Sequence, residues 1–163
     1  SFSFEVRRVV GQRYHPWNGL WRAYELYLLV GLESDIMGLR TNVSKNKDYM
    51  FRAITPPGKD KQMLFSLAKK INKLGKDPEF YHSLLTTCNT SIVSLVNKVT
   101  PGRISFTWRN LLPGYTPRAA FKLGLIEDWG GFDQTVEASR IDLIAQKWDG
   151  KGTYSEMLRE HLP

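Results

Sequence analysis

A single cysteine, Cys88, stands among 163 residues. No internal disulfide framework is possible, so a chain of this length must hold itself together by a packed core. The residues around the cysteine restrict the fold further. The run Phe80-Tyr81-His82-Ser83-Leu84-Leu85-Thr86-Thr87 leads through Cys88 into Asn89-Thr90-Ser91-Ile92-Val93-Ser94-Leu95-Val96-Asn97-Lys98-Val99. Thr100-Pro101-Gly102 then closes the segment. This pattern predicts a helix that opens at the cysteine. Cys88 has two readings. On the first it shares a helical face with Ile92, Leu95 and Val99 and is a small buried hydrophobe. On the second it meets the unpaired N–H groups and positive dipole end of the helix, which favour an anionic, nucleophilic sulfur.

The remaining pattern mixes strands and helices without regular alternation, which points to an α+β fold. Residues 1–10 read as a strand, with Phe2, Phe4 and Val6 on one face and Ser3, Glu5 and Arg7 on the other. A loop from Gly11 to Asn18 and a helical turn around Gly19 to Ala23 are expected next, then strands over 24–30 and 49–54. A helical turn at 33–39 and a polar loop over 42–48 lie between those strands. Thr55-Pro56-Pro57 stops the second of them and opens a helix over 59–74, with Gly75 placed to follow its C-terminus. Thr116-Pro117 reads as an N-cap followed by proline at the first helical position, leading into 118–123. A last amphipathic helix is expected over 154–161. No apolar run approaches the roughly 20 residues needed to span a bilayer.

Net charge is +7. Basic residues concentrate between Lys45 and Lys76, at Lys45, Lys47, Arg52, Lys59, Lys61, Lys69, Lys70, Lys73 and Lys76. Such a run suits an anionic membrane surface, an acidic polymer or nucleic acid, or is a solvated helix face. Met63, Leu64, Leu67, Ala68, Ile71 and Leu74 recur at helical spacing, with the lysines mostly on the other side. No zinc-finger spacing, RNA-binding aromatic signature or phosphate-cradling glycine loop accompanies the charge, which argues against nucleic acid.

A nucleophilic cysteine needs a base, a group to orient that base, and donors for the oxyanion formed on the attacked carbonyl. The chain has three histidines. His161 lies almost at the end, His15 stands in a loop before a proline, and His82 lies six residues before Cys88. Glu5, on the polar face of the first strand, is the candidate orienting group; its alternative is a plain ion pair with Arg7.

The runs Ser3-Phe4-Glu5-Val6-Arg7-Arg8, Gly19-Leu20 with Tyr24-Glu25-Leu26, and Val30-Gly31-Leu32-Glu33-Ser34-Asp35-Ile36 with Leu39-Arg40-Thr41-Asn42 occur in that order. Together with the Cys88 segment, Tyr81 ahead of it and Thr90 after it, they resemble the N-terminal periplasmic domain of the Lnb family of bacterial lipoprotein N-acyltransferases. The close Tyr154-Ser155-Glu156-Met157-Leu158-Arg159 is also similar to that family's. The family is similar in fold to permuted papain-like domains of the NlpC type. The resemblance therefore implies an antiparallel sheet packed against a central cysteine-bearing helix. It implies a thioester on Cys88, with an acyl chain passed from a lipid or lipoprotein donor to an amine in the periplasm or cell envelope. Glu5 and His82 join Cys88 as catalytic candidates, and Arg7, Tyr81 and Arg40 as substrate-binding ones, with no metal and no cofactor. A non-catalytic basic domain on an anionic membrane or envelope polymer is the alternative. The family's histidine normally lies just upstream of the Ser-x-Glu-x-Arg strand. The expectation is thus one domain over 1–163 that lacks that strand, either as a piece of an active domain, or as a relative that kept the fold and lost the chemistry, or with His82 as substitute base. Thr87 and His82 stand where asparagine is usual, Gln12 replaces a glutamate and Ser34 an arginine.

Overall fold

The computed structural model describes residues 1–7, 10, 11, 15, 21, 24–82, 87–105, 107 and 113–163. Among them three strands and seven helices form an α+β fold. In chain order these are β1 (Phe2–Arg7), β2 (Tyr24–Val30), α1 (Glu33–Gly38), α2 (Lys59–Lys76), β3 (Glu79–Tyr81), α3 (Cys88–Val99), α4 (Thr116–Lys122), α5 (Phe132–Ala138), α6 (Asp142–Ala145) and α7 (Tyr154–Glu160). The chain sorts into two compact units. One holds Phe2–Leu29 with Thr55–Ala119 and contains Cys88; the other holds Ser1, Val30–Ile54 and Ala120–Pro163.

In the cysteine-bearing unit the sheet order is β1-β2-β3. β2 and β3 run antiparallel, with Tyr24 opposite Tyr81, Glu25 opposite Phe80 and Leu26 opposite Glu79. Tyr24 and Leu26 are buried, as are Val93, Leu95 and Val99 of α3. α3 packs against β1 and against α2. The short β3 was not expected from sequence, because three residues cannot show an alternation that stands out from noise.

α2 illustrates how proline and glycine punctuate this chain. Pro57 and Gly58 occupy the central positions of a turn closed by Lys59 N–H donating to Pro56 O at 3.1 Å, and Gly58 has φ 77°. Proline followed by a left-handed residue is the type II pattern, which favours glycine at the second central position. At the other end the helix runs through Gly75 to Lys76. The expected stop at Gly75 is therefore corrected: Asp77 is extended at φ −124°, ψ 93°, as the residue before Pro78 prefers. A Cβ built on Gly75 meets nothing within 4 Å. Gly75→Ala should raise stability by about 0.5–1 kcal/mol, through reduced backbone entropy of the unfolded chain. A urea midpoint that fails to rise contradicts this.

The other unit is built on Ile141, Ala145, Tyr154, Leu158 and Leu162, with Met50, Trp129, Trp148 and Met157 packed against them. The expected strand over 49–54 is corrected to two isolated bridges, Tyr49 with Arg140 and Ala53 with Ile126. Its alternating residues find no continuous ladder. The helical turn from Glu33 continues as a π-helical turn over Leu39–Val43, which shortens the expected polar loop. α4 starts at Thr116 itself, one residue earlier than a capping role for Thr116 implies. α5 and α6 were not anticipated from sequence, whereas α7 forms where it was expected. The expected turn at 19–23 lies largely outside the described residues.

A paired bond joins α1 to α7. Arg159 donates from Nη1 to Glu33 Oε2 at 2.7 Å and from Nη2 to Oε1 at 2.8 Å. These hydrogen bonds outweigh the opposing effect of burial and hold the Glu33 carboxyl down at about 2, against an ordinary 4.5. A carboxylate depressed by folding stabilises the protein above its unfolded value and loses that contribution as pH falls through the folded one. Wild type should therefore lose stability between pH 4.5 and about 2 more steeply than Glu33→Gln. Parallel urea-midpoint curves for the two proteins across that window contradict this.

Candidate functional site

Thr87 and Thr90 determine where α3 begins. Thr87 N–H donates to Thr90 Oγ1 at 2.8 Å, and Thr90 N–H donates to Thr87 Oγ1 at 3.2 Å. This reciprocal box satisfies one orphan donor of the first turn and locks the register. Cys88 thereby becomes the first helical residue, as the sequence predicts. The N–H groups of Cys88 and Asn89 take no partner among the described residues. Two free donors and the positive end of a twelve-residue helix thus lie beside the sulfur. Asn89 is itself anchored, its Nδ2 donating to Thr116 Oγ1 at 2.7 Å.

Cys88 is half-buried. Ile92, one turn along on the same face, is 49% exposed. The reading of Cys88 as a sealed core hydrophobe therefore does not describe this helix: Leu95 and Val99 go into the core, whereas the cysteine end of their face stays open. Among the described residues no hydrogen bond reaches the sulfur.

The polar face of β1 grades from buried at Ser3 to open at Arg7. Ser3 Oγ donates to Glu5 Oε1, which fixes the carboxylate along its own strand. Arg7 turns across the sheet rather than back to Glu5. Its Nη1 lies 3.6 Å from Glu25 Oε2, and its guanidinium carbon lies 5.8 Å from the centre of the Tyr27 ring. The alternative of a Glu5–Arg7 pair is thus corrected: Arg7 is held by two residues of β2. Tyr81 is half-buried opposite Tyr24. His82 is half-buried at the end of β3, and residues 83–86 between it and Thr87 lie outside the described set.

His15 is exposed, with its backbone N–H donating to Tyr24 Oη at 2.8 Å. His161 is exposed just beyond α7. Arg40 belongs to the unit that does not contain Cys88. There burial pushes the Asp48 carboxyl up, and the charge of Arg40 acts against that rise. Among the described residues no group of three His, Cys, Asp or Glu is placed to hold a metal ion.

The capping box was missed from sequence, although Thr-x-x-Thr directly before an apolar run is a signal of it. Glu79 was missed as well. It accepts from Lys70 and from Lys73, the latter at 3.1 Å. Burial pushes its carboxyl up, and these bonds outweigh that and hold it below the ordinary range.

The profile of the Lnb N-terminal periplasmic domain matches residues 1–114. This stretch carries β1, β2, β3 and all of α3. The chain belongs to the Lnb N-terminal periplasmic domain family. It is accordingly a periplasmic domain. In this Lnb domain the match includes Cys88, His82, Glu5, Arg7, Tyr81 and Arg40, and the closing residues 154–159 lie beyond it. No curated protein and no solved structure matches the chain.

Proposed function

We propose that this Lnb domain is a cysteine-dependent acyltransferase of the lipoprotein N-acylation type, working through a thioester on Cys88 on a permuted papain-like plan. The observation that carries the reading is the half-buried Cys88 at the first position of a capped helix, whose own N–H and that of Asn89 take no partner among the described residues. The family context is lipoprotein processing, and α3 packed on β1 suits the papain-like plan.

The chemistry balances without oxidation or reduction. The Cys88 sulfur attacks the carbonyl carbon of a donor ester, and the negative oxygen that forms is stabilised by the N–H groups of Cys88 and Asn89. The C–O bond breaks, and the alcohol leaves with the proton that His82 took from the thiol. An amine then attacks the thioester. The C–S bond breaks, the sulfur regains its electron pair, and the amine's proton goes to the base. Glu5, braced by Ser3, orients the imidazole. Arg7 and Tyr81, in the same unit as Cys88, are assigned to binding substrate.

Incubating the chain with a diacyl phospholipid or a diacylated lipopeptide should add one acyl chain to the peptide that contains Cys88. Neutral hydroxylamine should release it, because it cleaves thioesters readily. Transfer to amine with no acyl group ever found on that peptide contradicts the reading. So does a bound acyl group that resists hydroxylamine. If neither transfer nor a bound acyl group is found, the runner-up, a non-catalytic basic domain on the envelope surface, takes its place.

A further inference from the structure

α2 is eighteen residues long and buries none of its side chains. It packs against α3, and its half-buried edge carries Met63, Leu67, Ile71 and Leu74. Leu64 and Phe65 are 56% and 69% exposed. At about 100° per residue Phe65 shares an outward sector with Lys61, Lys69 and Lys76, whereas Leu64 falls beside Ile71. The lysines of this helix are not equivalent. Lys70 and Lys73 share the single carboxylate of Glu79, and Lys59 donates to Val99 O at 2.7 Å and to Gln62. Lys61, Lys69 and Lys76 make no ion pair among the described residues.

We propose that this face of α2 docks on a bilayer leaflet rich in anionic phospholipid. Phe65 enters the headgroup boundary, and Lys61, Lys69 and Lys76 around it meet lipid phosphates. Three features favour this occupant. Unneutralised ammoniums beside large exposed apolar side chains are the makeup of an interfacial helix. A positive net charge of +7 steers the whole domain towards a negative surface. The domain is periplasmic, so a membrane leaflet lies within its compartment. No helix among the described residues is long and apolar enough to cross a membrane.

The test is co-flotation of the whole chain with vesicles of phosphatidylglycerol and phosphatidylethanolamine, against vesicles of phosphatidylcholine, at low and high salt. Binding should favour the anionic vesicles and weaken with salt. Each lysine near such a surface is worth about fivefold, or about 1 kcal/mol, so the combined K61Q, K69Q and K76Q variant should lose on the order of a hundredfold at low salt. Phe65→Ser should remove the binding that survives high salt. Lys151→Gln, in the other unit and already paired with Asp149, should leave binding unchanged. All these side chains are exposed, so the variants should fold, and circular dichroism checks that they do. Equal binding to both vesicle types, or an unaffected triple variant, overturns the proposal. So does an ineffective Phe65→Ser, or a single-stranded oligonucleotide bound as tightly as the anionic vesicles, either of which marks a general polyanion surface. No turnover is read, so this outcome is separate from that of the acyl-transfer reading.

Discussion

On the proposed acyl-transfer chemistry, Cys88→Ala should lower transfer by at least about a thousandfold while the far-ultraviolet dichroism and urea midpoint stay near wild type. The magnitude follows from the role: a nucleophile that carries the intermediate has no substitute, and losing one costs as much as losing the rest of its constellation. The intact fold follows from position. The α3 start is fixed by Thr87 and Thr90 rather than by the cysteine, and the sulfur of half-buried Cys88 makes no hydrogen bond among the described residues. Alanine is the best helix former and suits the first turn. A variant that keeps a tenth or more of wild-type transfer, on the order of 1 kcal/mol of barrier change, removes Cys88 from the chemistry. A variant that loses its fold assigns the residue to packing instead.

Leu158→Ala produces the largest loss of stability, about 2–5 kcal/mol. Leu158 has no solvent exposure and sits among Ile141, Ala145, Tyr154 and Leu162. The Trp148 and Tyr154 rings meet edge-on at 5.1 Å beside that core, and rigid rings cannot slide into a cavity as a flexible side chain can. Against a typical total of about 5–15 kcal/mol, such a loss is a large share of the stability. Leu158→Met, which nearly conserves volume, should cost less than about 1.5 kcal/mol. Urea midpoints measure both. Equal midpoints for the two variants contradict the account of this core.

The parts of the fold legible from sequence were those with strong local signals. α3 was bounded by its cysteine and by Thr100-Pro101-Gly102, and β2 by a compact apolar run between polar ones. The parts that escaped depend on partners distant in sequence. Residues 49–54 alternate as a strand does, yet Tyr49 and Ala53 find single bridges at Arg140 and Ile126 rather than a neighbouring strand. Gly75 looked like a helix terminator, but glycine ends a helix when the chain needs a left-handed residue, and here Pro78 ends it instead. At the site, the identity of Cys88 and its helix position were readable. The partial burial of Cys88 was not, because it depends on which part of a mostly apolar face meets the core. The partner of Arg7 was likewise unreadable: only the β1–β2 pairing brings Glu25 and Tyr27 within its reach.

Because the chain has a single cysteine, one titration addresses the central claim directly. Partial alkylation with iodoacetamide gives a series of samples whose modified fraction is read by intact mass and whose acyl transfer is read in parallel. The account predicts a straight line from full transfer at no modification to zero at one alkyl group per chain, with donor lipid slowing the alkylation. A fully alkylated chain that still transfers acyl groups contradicts it.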